Sequence, residues 1–144
     1  TRGLGLMNSL LMGYEDYRGE FEGRPHGSLI AFETGTTTNY GLLGAQERGQ
    51  LFLGPAVDVY AGQVVGETAK PEDLEVNVCK LKQLSNMRSK GDGVAEALDV
   101  AHVMGLEDAI EYVGDDELVE VTPKSIRIRK TLLDSNARKR ASSK

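Results

Sequence analysis

The sequence predicts an α+β domain, mainly β: a small mixed β domain with two or three short helices and a long basic loop. Three observations lead there. Short apolar and β-branched runs recur between glycines, prolines and other turn formers, as strands do. One stretch, Leu106–Val113, places its apolar residues at the clearest helical spacing. Between Leu84 and Val94 there is little alternation, with two glycines and several polar residues, as in a long functional loop.

Taken in order, Gly27–Phe32, Val57–Tyr60 and Gln63–Val65 read as strands, with Ala61-Gly62 turning the chain between the last two. Thr37–Arg48 is a weaker helix candidate, because Gly41 and Gly44 each cost about 1 kcal/mol relative to alanine; Gly49 would close it. Leu74–Cys79 alternates, which directs Leu74, Val76 and Val78 to a core. Leu106, Ala109, Ile110 and Val113 form one helical face, Glu107 and Asp108 suit the positive end of its dipole, and Gly114 can end it in the left-handed conformation. Val119/Val121 and Ile126/Ile128 alternate around a turn at Thr122–Ser125. That hairpin would set Arg127 and Arg129 together on its outer face. Asp134 would cap a last helix carrying Arg138, Lys139 and Arg140 on its exposed side.

At 144 residues the chain can be one domain, or one domain and a fragment. A chain of this size needs neither disulfide nor metal to fold. Its one cysteine, Cys79, fits a reducing compartment, and no apolar run approaches bilayer length, so a cytoplasmic protein without membrane contact is expected. The chain opens on Thr1, and Thr1–Tyr17 reads as an interior piece of a longer protein.

Net charge of −5 disfavours a generic nucleic-acid binder, but the charge is unevenly placed. Seven acids fall between Gly105 and Glu120, whereas Val121–Lys144 holds eight cations against one acid. On the expectation that the fold does not require this asymmetry, the tail calls for a partner. Lys80, Lys82, Arg88 and Lys90 form a second basic block with no acid between its ends. Two such patches on an acidic body suit contact with phosphates at chosen points. The alternative is that these cations only keep the surface wet.

Catalytic chemistry finds little support. His26 and His102 sit near no second ligand at a metal-binding spacing. Lys80 and Lys82 could lower the pKa of Cys79, yet no base accompanies it. There is no phosphate-loop motif, and Asp115-Asp116-Glu117, being contiguous, cannot converge on calcium; a solvated acidic turn is the simpler reading. No catalytic, cofactor-binding or metal residue is therefore assigned.

Several motifs look familiar together. Arg48-Gly49-Gln50-Leu51-Phe52-Leu53-Gly54-Pro55, Val59-Tyr60-Ala61-Gly62-Gln63-Val64-Val65-Gly66, Asp73–Asn77, Leu84–Arg88 and Asp115–Lys130 follow one another in the order and spacing of the TypA/BipA family, which the chain resembles over essentially its whole length. The resemblance implies a region of a translational GTPase related to elongation factor G, which acts on the bacterial ribosome in stress adaptation and large-subunit assembly. It implies that GTP and Mg belong to a domain far upstream, so that this region is not itself an enzyme. Residues 1–17 would be the last strand of a factor-G-like domain V, exposed and either pairing with another copy or extending away, and 18–144 the family's C-terminal domain.

That domain reaches toward large-subunit rRNA and the acceptor end of A-site tRNA with a loop matching Lys80–Gly93, and Lys82 and Arg88 fall on its cationic positions. Two departures stand out: Lys82-Gln83 where the family often has two successive cations, and Val100-Ala101 where a proline pair is usual. The candidate RNA-binding residues are Lys80, Lys82, Arg88, Lys90, Arg127, Arg129, Arg138, Lys139 and Arg140. The rival reading is a protein-interaction module that docks through the acidic face at Asp115–Glu120.

Overall fold

A computed structural model describes residues 7–17, 19, 24–81 and 97–142. Its main sheet is built from β1 (Ser28–Ala31), β3 (Gly49–Leu51), β5 (Gln63–Thr68), β6 (Leu74–Val76), β7 (Glu117–Val121) and β8 (Ile126–Lys130), and a small second sheet from β2 (Gly35–Thr36) and β4 (Asp58–Val59). Three short helices accompany them: α1 (Asn39–Gln46), α2 (Leu106–Tyr112) and α3 (Ser135–Ser142). The expected α+β class, mainly β, is the one observed.

The main sheet runs β6-β1-β5-β8-β7, with β3 also paired to β5. Only β1 and β6 are parallel. Strand β5 is the hub. Its first residues, Gln63 and Val64, pair with β8, while Gly66, Glu67 and Thr68 pair with β3, so two strands share one of its edges end to end. Across its other edge lies β1, with a register shift between Leu29 and Ile30 that skips Val65. All four residues of β1 are buried, as befits a strand covered on both faces.

Two apolar clusters divide the core. Leu29, Ala31, Leu42, Ala45, Val65, Val76 and Val78 pack α1 against the sheet. Val64, Ala109 and Ile128 gather α2, Phe52 and Tyr112. The expected inward alternation of β6 is present, with Val76 and Val78 buried and Leu74 packed beside them. Helix α1 is capped by Thr38, whose Oγ1 accepts from the Gly41 N–H at 3.0 Å. Gly41 itself lies so close to β6 that a Cβ there would come within 2.4 Å of the Val78 carbonyl.

Three local expectations give way. Gly49 does not close a helix: α1 stops at Gln46, and Gly49 opens β3 with its Cα facing the Glu67 carbonyl. Ala61-Gly62 does turn the chain, with Gly62 at φ 87°, but β4 then pairs with β2 and not with β5. Helix α2 ends in extended backbone at Val113 (ψ 129°), without a left-handed Gly114. Of segment 1–17, residues 7–17 lie outside both sheets with their apolar side chains exposed, Met12 by 96% and Tyr14 by 95%, and residues 1–6 lie outside the described region.

Candidate functional site

The β7–β8 hairpin forms as the alternation predicts, and Thr122 closes its turn, donating from Oγ1 to the Ser125 carbonyl at 2.7 Å. Its register sets Glu120 opposite Arg127, and Glu117 opposite Lys130. Those two cross-strand pairs overturn the idea that the fold has no use for the uneven charge. The acid-rich and base-rich segments are the two arms of one hairpin, and much of their charge is matched within it.

The strongest match is internal. Lys130, 2% exposed, places Nζ 2.5 Å from Asp73, 2.9 Å from Asp116 and 3.0 Å from Glu117. Glu117, whose side chain is fully buried, also accepts from Ser28 Oγ at 2.5 Å, from the Gly114 N–H at 3.0 Å and from the Arg24 guanidinium at 3.2 Å. Arg24 in turn stacks over the Tyr112 ring, 3.9 Å from its centroid. A buried charge is tolerated only when it is paired and hydrogen-bonded, and this group meets both conditions.

Burial alone would raise the Glu117 carboxyl, but Arg24, Ser28, the Gly114 amide and Lys130 outweigh it and hold the group below its usual range. Burial would likewise lower Lys130, yet Asp73, Asp116 and Glu117 raise it. Burial pushes the Tyr112 hydroxyl up to about 12. The acids at Asp115–Glu120 are accordingly not just a solvated turn. Asp116 and Glu117 hold Lys130, and Glu120 accepts from Tyr60 at 2.6 Å and pairs with Arg129 at 2.8 Å.

The predicted cations therefore separate. Arg129 is engaged by Glu120, and Arg138 is not on an open helix face: it pairs with Glu75 on β6 and donates to the Leu132 and Leu133 carbonyls at 2.9 and 2.7 Å. Asp134 does cap α3, accepting from the Ala137 N–H at 2.8 Å. Lys139 and Arg140 are exposed on α3, Arg127 is half-buried on β8, and Lys80 is exposed just past β6. Lys80 sits over the Tyr40 ring, 5.8 Å from its centroid. Lys82, Arg88 and Lys90 lie outside the described residues.

Cys79 does not gain the activation considered for it. Burial and the nearby Glu33 carboxylate raise its pKa, and Lys80 reaches toward Tyr40 instead. Among the described residues no group of histidine, cysteine, aspartate and glutamate side chains is arranged to hold a metal, and no helix is long and apolar enough to cross a membrane.

Comparison with known proteins agrees with this architecture's sequence motifs. The family model described as the TypA/BipA C-terminal domain matches residues 26–135. A large ribosomal subunit assembly factor BipA of Synechocystis is 46% identical over 130 residues, covering 90% of this chain and 22% of the relative. The protein of the same name in Bacillus subtilis is 41% identical over 145 residues, covering 100% of this chain and 24% of the relative. That of Haemophilus influenzae is 46% identical over 142 residues, covering 98% and 23%. The chain thus spans less than a quarter of these relatives' length, and the matched part is the C-terminal domain, not the GTPase domain. With its motifs and matched segment in agreement, the chain belongs to the TypA/BipA C-terminal domain family.

Proposed function

We propose that this domain is the ribosome-contacting, non-catalytic part of a BipA-type translational GTPase, acting in the cytoplasm in large-subunit assembly, ribosome function and stress adaptation. The observation that carries the reading is the placement of Lys80. It is exposed at the end of β6, and the sequence runs on from it through Lys82, Arg88 and Lys90 without an acid. Thr38 fixes that exit: its Oγ1 donates to the Lys80 carbonyl at 2.5 Å, and its N–H donates to the Val78 carbonyl at 3.0 Å. Cations presented from a held stem suit large-subunit rRNA and the acceptor end of A-site tRNA. The names of the relatives, large ribosomal subunit assembly factors, favour the same partner.

The protein-interaction reading loses its main support, because Asp116, Glu117 and Glu120 are spent on Lys130, Arg24 and Arg129. Changing Lys82 and Arg88 together to Glu in the full-length protein should weaken ribosome binding, and each lost phosphate contact should reduce the salt slope by about one counterion. GTP hydrolysis without ribosomes should be unchanged. Ribosome affinity equal to that of the wild type across a salt titration would refute the assignment.

A further inference from the structure

Helix α1 carries an aromatic side chain that the core does not use. Tyr40, in its first turn, is 43% exposed, while Leu42 and Ala45 turn inward. Beside it lies a cleft of about 370 Å³, lined by Tyr40, Gly44, Glu47, Arg48 and Lys80 among others. Lys80 and Arg48 are both exposed there, and no heavy atom lies within 4 Å of where a Gly44 Cβ would be. The helix start is rigidly mounted: Thr38 joins it to Val78 and Lys80 just past β6, and Gly41 is in backbone contact with Val78.

We infer that this cleft is a subsite for single-stranded RNA, in which Tyr40 stacks on one unpaired base while Lys80 and Arg48 contact the flanking phosphates. The inference builds on the ribosome-contacting role proposed above and assigns a specific recognition element to it. Three features favour an unpaired strand over a duplex. An exposed ring offers a stacking surface for which a paired base has no free face. A cation already over the ring adds to the attraction for a base lying beside it. Among the described residues the lining cations are Arg48 and Lys80, and the Glu47 and Glu75 carboxylates that also line the cleft disfavour the dense phosphate array of a helix.

The test uses the full-length protein and two fluorescein-labelled probes, a short oligouridylate and an RNA duplex of equal length. Tyr40→Ala and Tyr40→Leu should each lower affinity for the single strand, roughly five- to hundredfold, as loss of one stacked base does. Their salt slope should match that of the wild type, and duplex affinity should not change. Tyr40→Phe should retain binding, which excludes a folding defect at this position. Lys80→Gln should instead reduce the salt slope by about one. Single-strand affinity in Tyr40→Ala and Tyr40→Leu equal to the wild type would overturn the proposal, as would failure of the wild type to bind oligouridylate. Neither result would touch the wider reading, which stands or falls on ribosome binding by the Lys82/Arg88 variant.

Discussion

The most consequential single residues are Glu117 and Lys130, two opposite charges with almost no water contact. Removing one partner strands the other, so Glu117→Ala should cost about 3–5 kcal/mol. Glu107→Ala, on the exposed side of α2, should stay within about 0.5 kcal/mol. Urea denaturation of the two variants measures the contrast. The pH dependence has a definite sign. Because Glu117 is depressed below its ordinary 4.5, its contribution is present above that value and lost as pH falls through the folded pKa. Lys130 is raised above its ordinary 10.5, so its contribution is complete below that value and lost as pH rises through the folded pKa. Melting temperature should therefore fall at both extremes, and Glu117→Gln should flatten the acid side.

Both residues were within reach of the sequence. Alternation that turns Val119 inward also turns Glu117 inward, and alternation through Ile126 and Ile128 ends on Lys130. Charged residues were read as surface by type, and that prior overrode the period. What the sequence could not supply was the rest of the network, since Arg24, Ser28 and Asp73 come from distant parts of the chain. Arg138 was misplaced for the same reason: its helix was legible from Asp134 and the basic run, but its Glu75 partner lies 63 positions away.

Among the elements, those whose neighbourhood shows a period were readable, down to the short β4 and β6, whereas β2 and β3 were not. The β7–β8 hairpin and α2 carry enough residues to show a period. Strands β2 and β3, of two and three residues, do not, and they exist because β4 and β5 offer them a ladder. The two glycines of α1 show how an element's sequence can mislead when each residue is judged by propensity. Gly44 has open space around it, so Gly44→Ala should stabilise the protein by about 0.4–1 kcal/mol. Gly41→Ala should instead destabilise it, because the new methyl meets the Val78 backbone at 2.4 Å. Gly49→Ala should be worse, with a Cβ 1.9 Å from the Glu67 carbonyl in the β3–β5 ladder. Thermal melts of the three variants rank them.

At the scale of the whole molecule, the fold consumes cations before any partner arrives. Lys130, Arg129, Arg138 and Arg24 are matched to acids, while Lys80 and Arg140 are among the cations that stay exposed. Counting charge along the sequence overstated what a partner could meet. The exposed segment 7–17 lies outside the sheets, so limited chymotrypsin digestion should cut at Tyr14 or Tyr17 well before any site in β1 or β5.

Strand β5, shared end to end by β3 and β8, takes its partners on one edge from both halves of the chain. Residues 24–81 leave the ribosome first and can already pair β1, β3, β5 and β6 around the Leu29–Val65 core. At that stage the ladder positions of Gln63 and Val64 are vacant, and Asp73 and Ser28 await their charged partners. Those partners arrive on the β7–β8 hairpin, Glu117 on its first strand and Lys130 on its second, where Ile128 also fills the second core. A nascent chain stopped before Ile126 would leave that edge of β5 open and Glu117 without its closest cation.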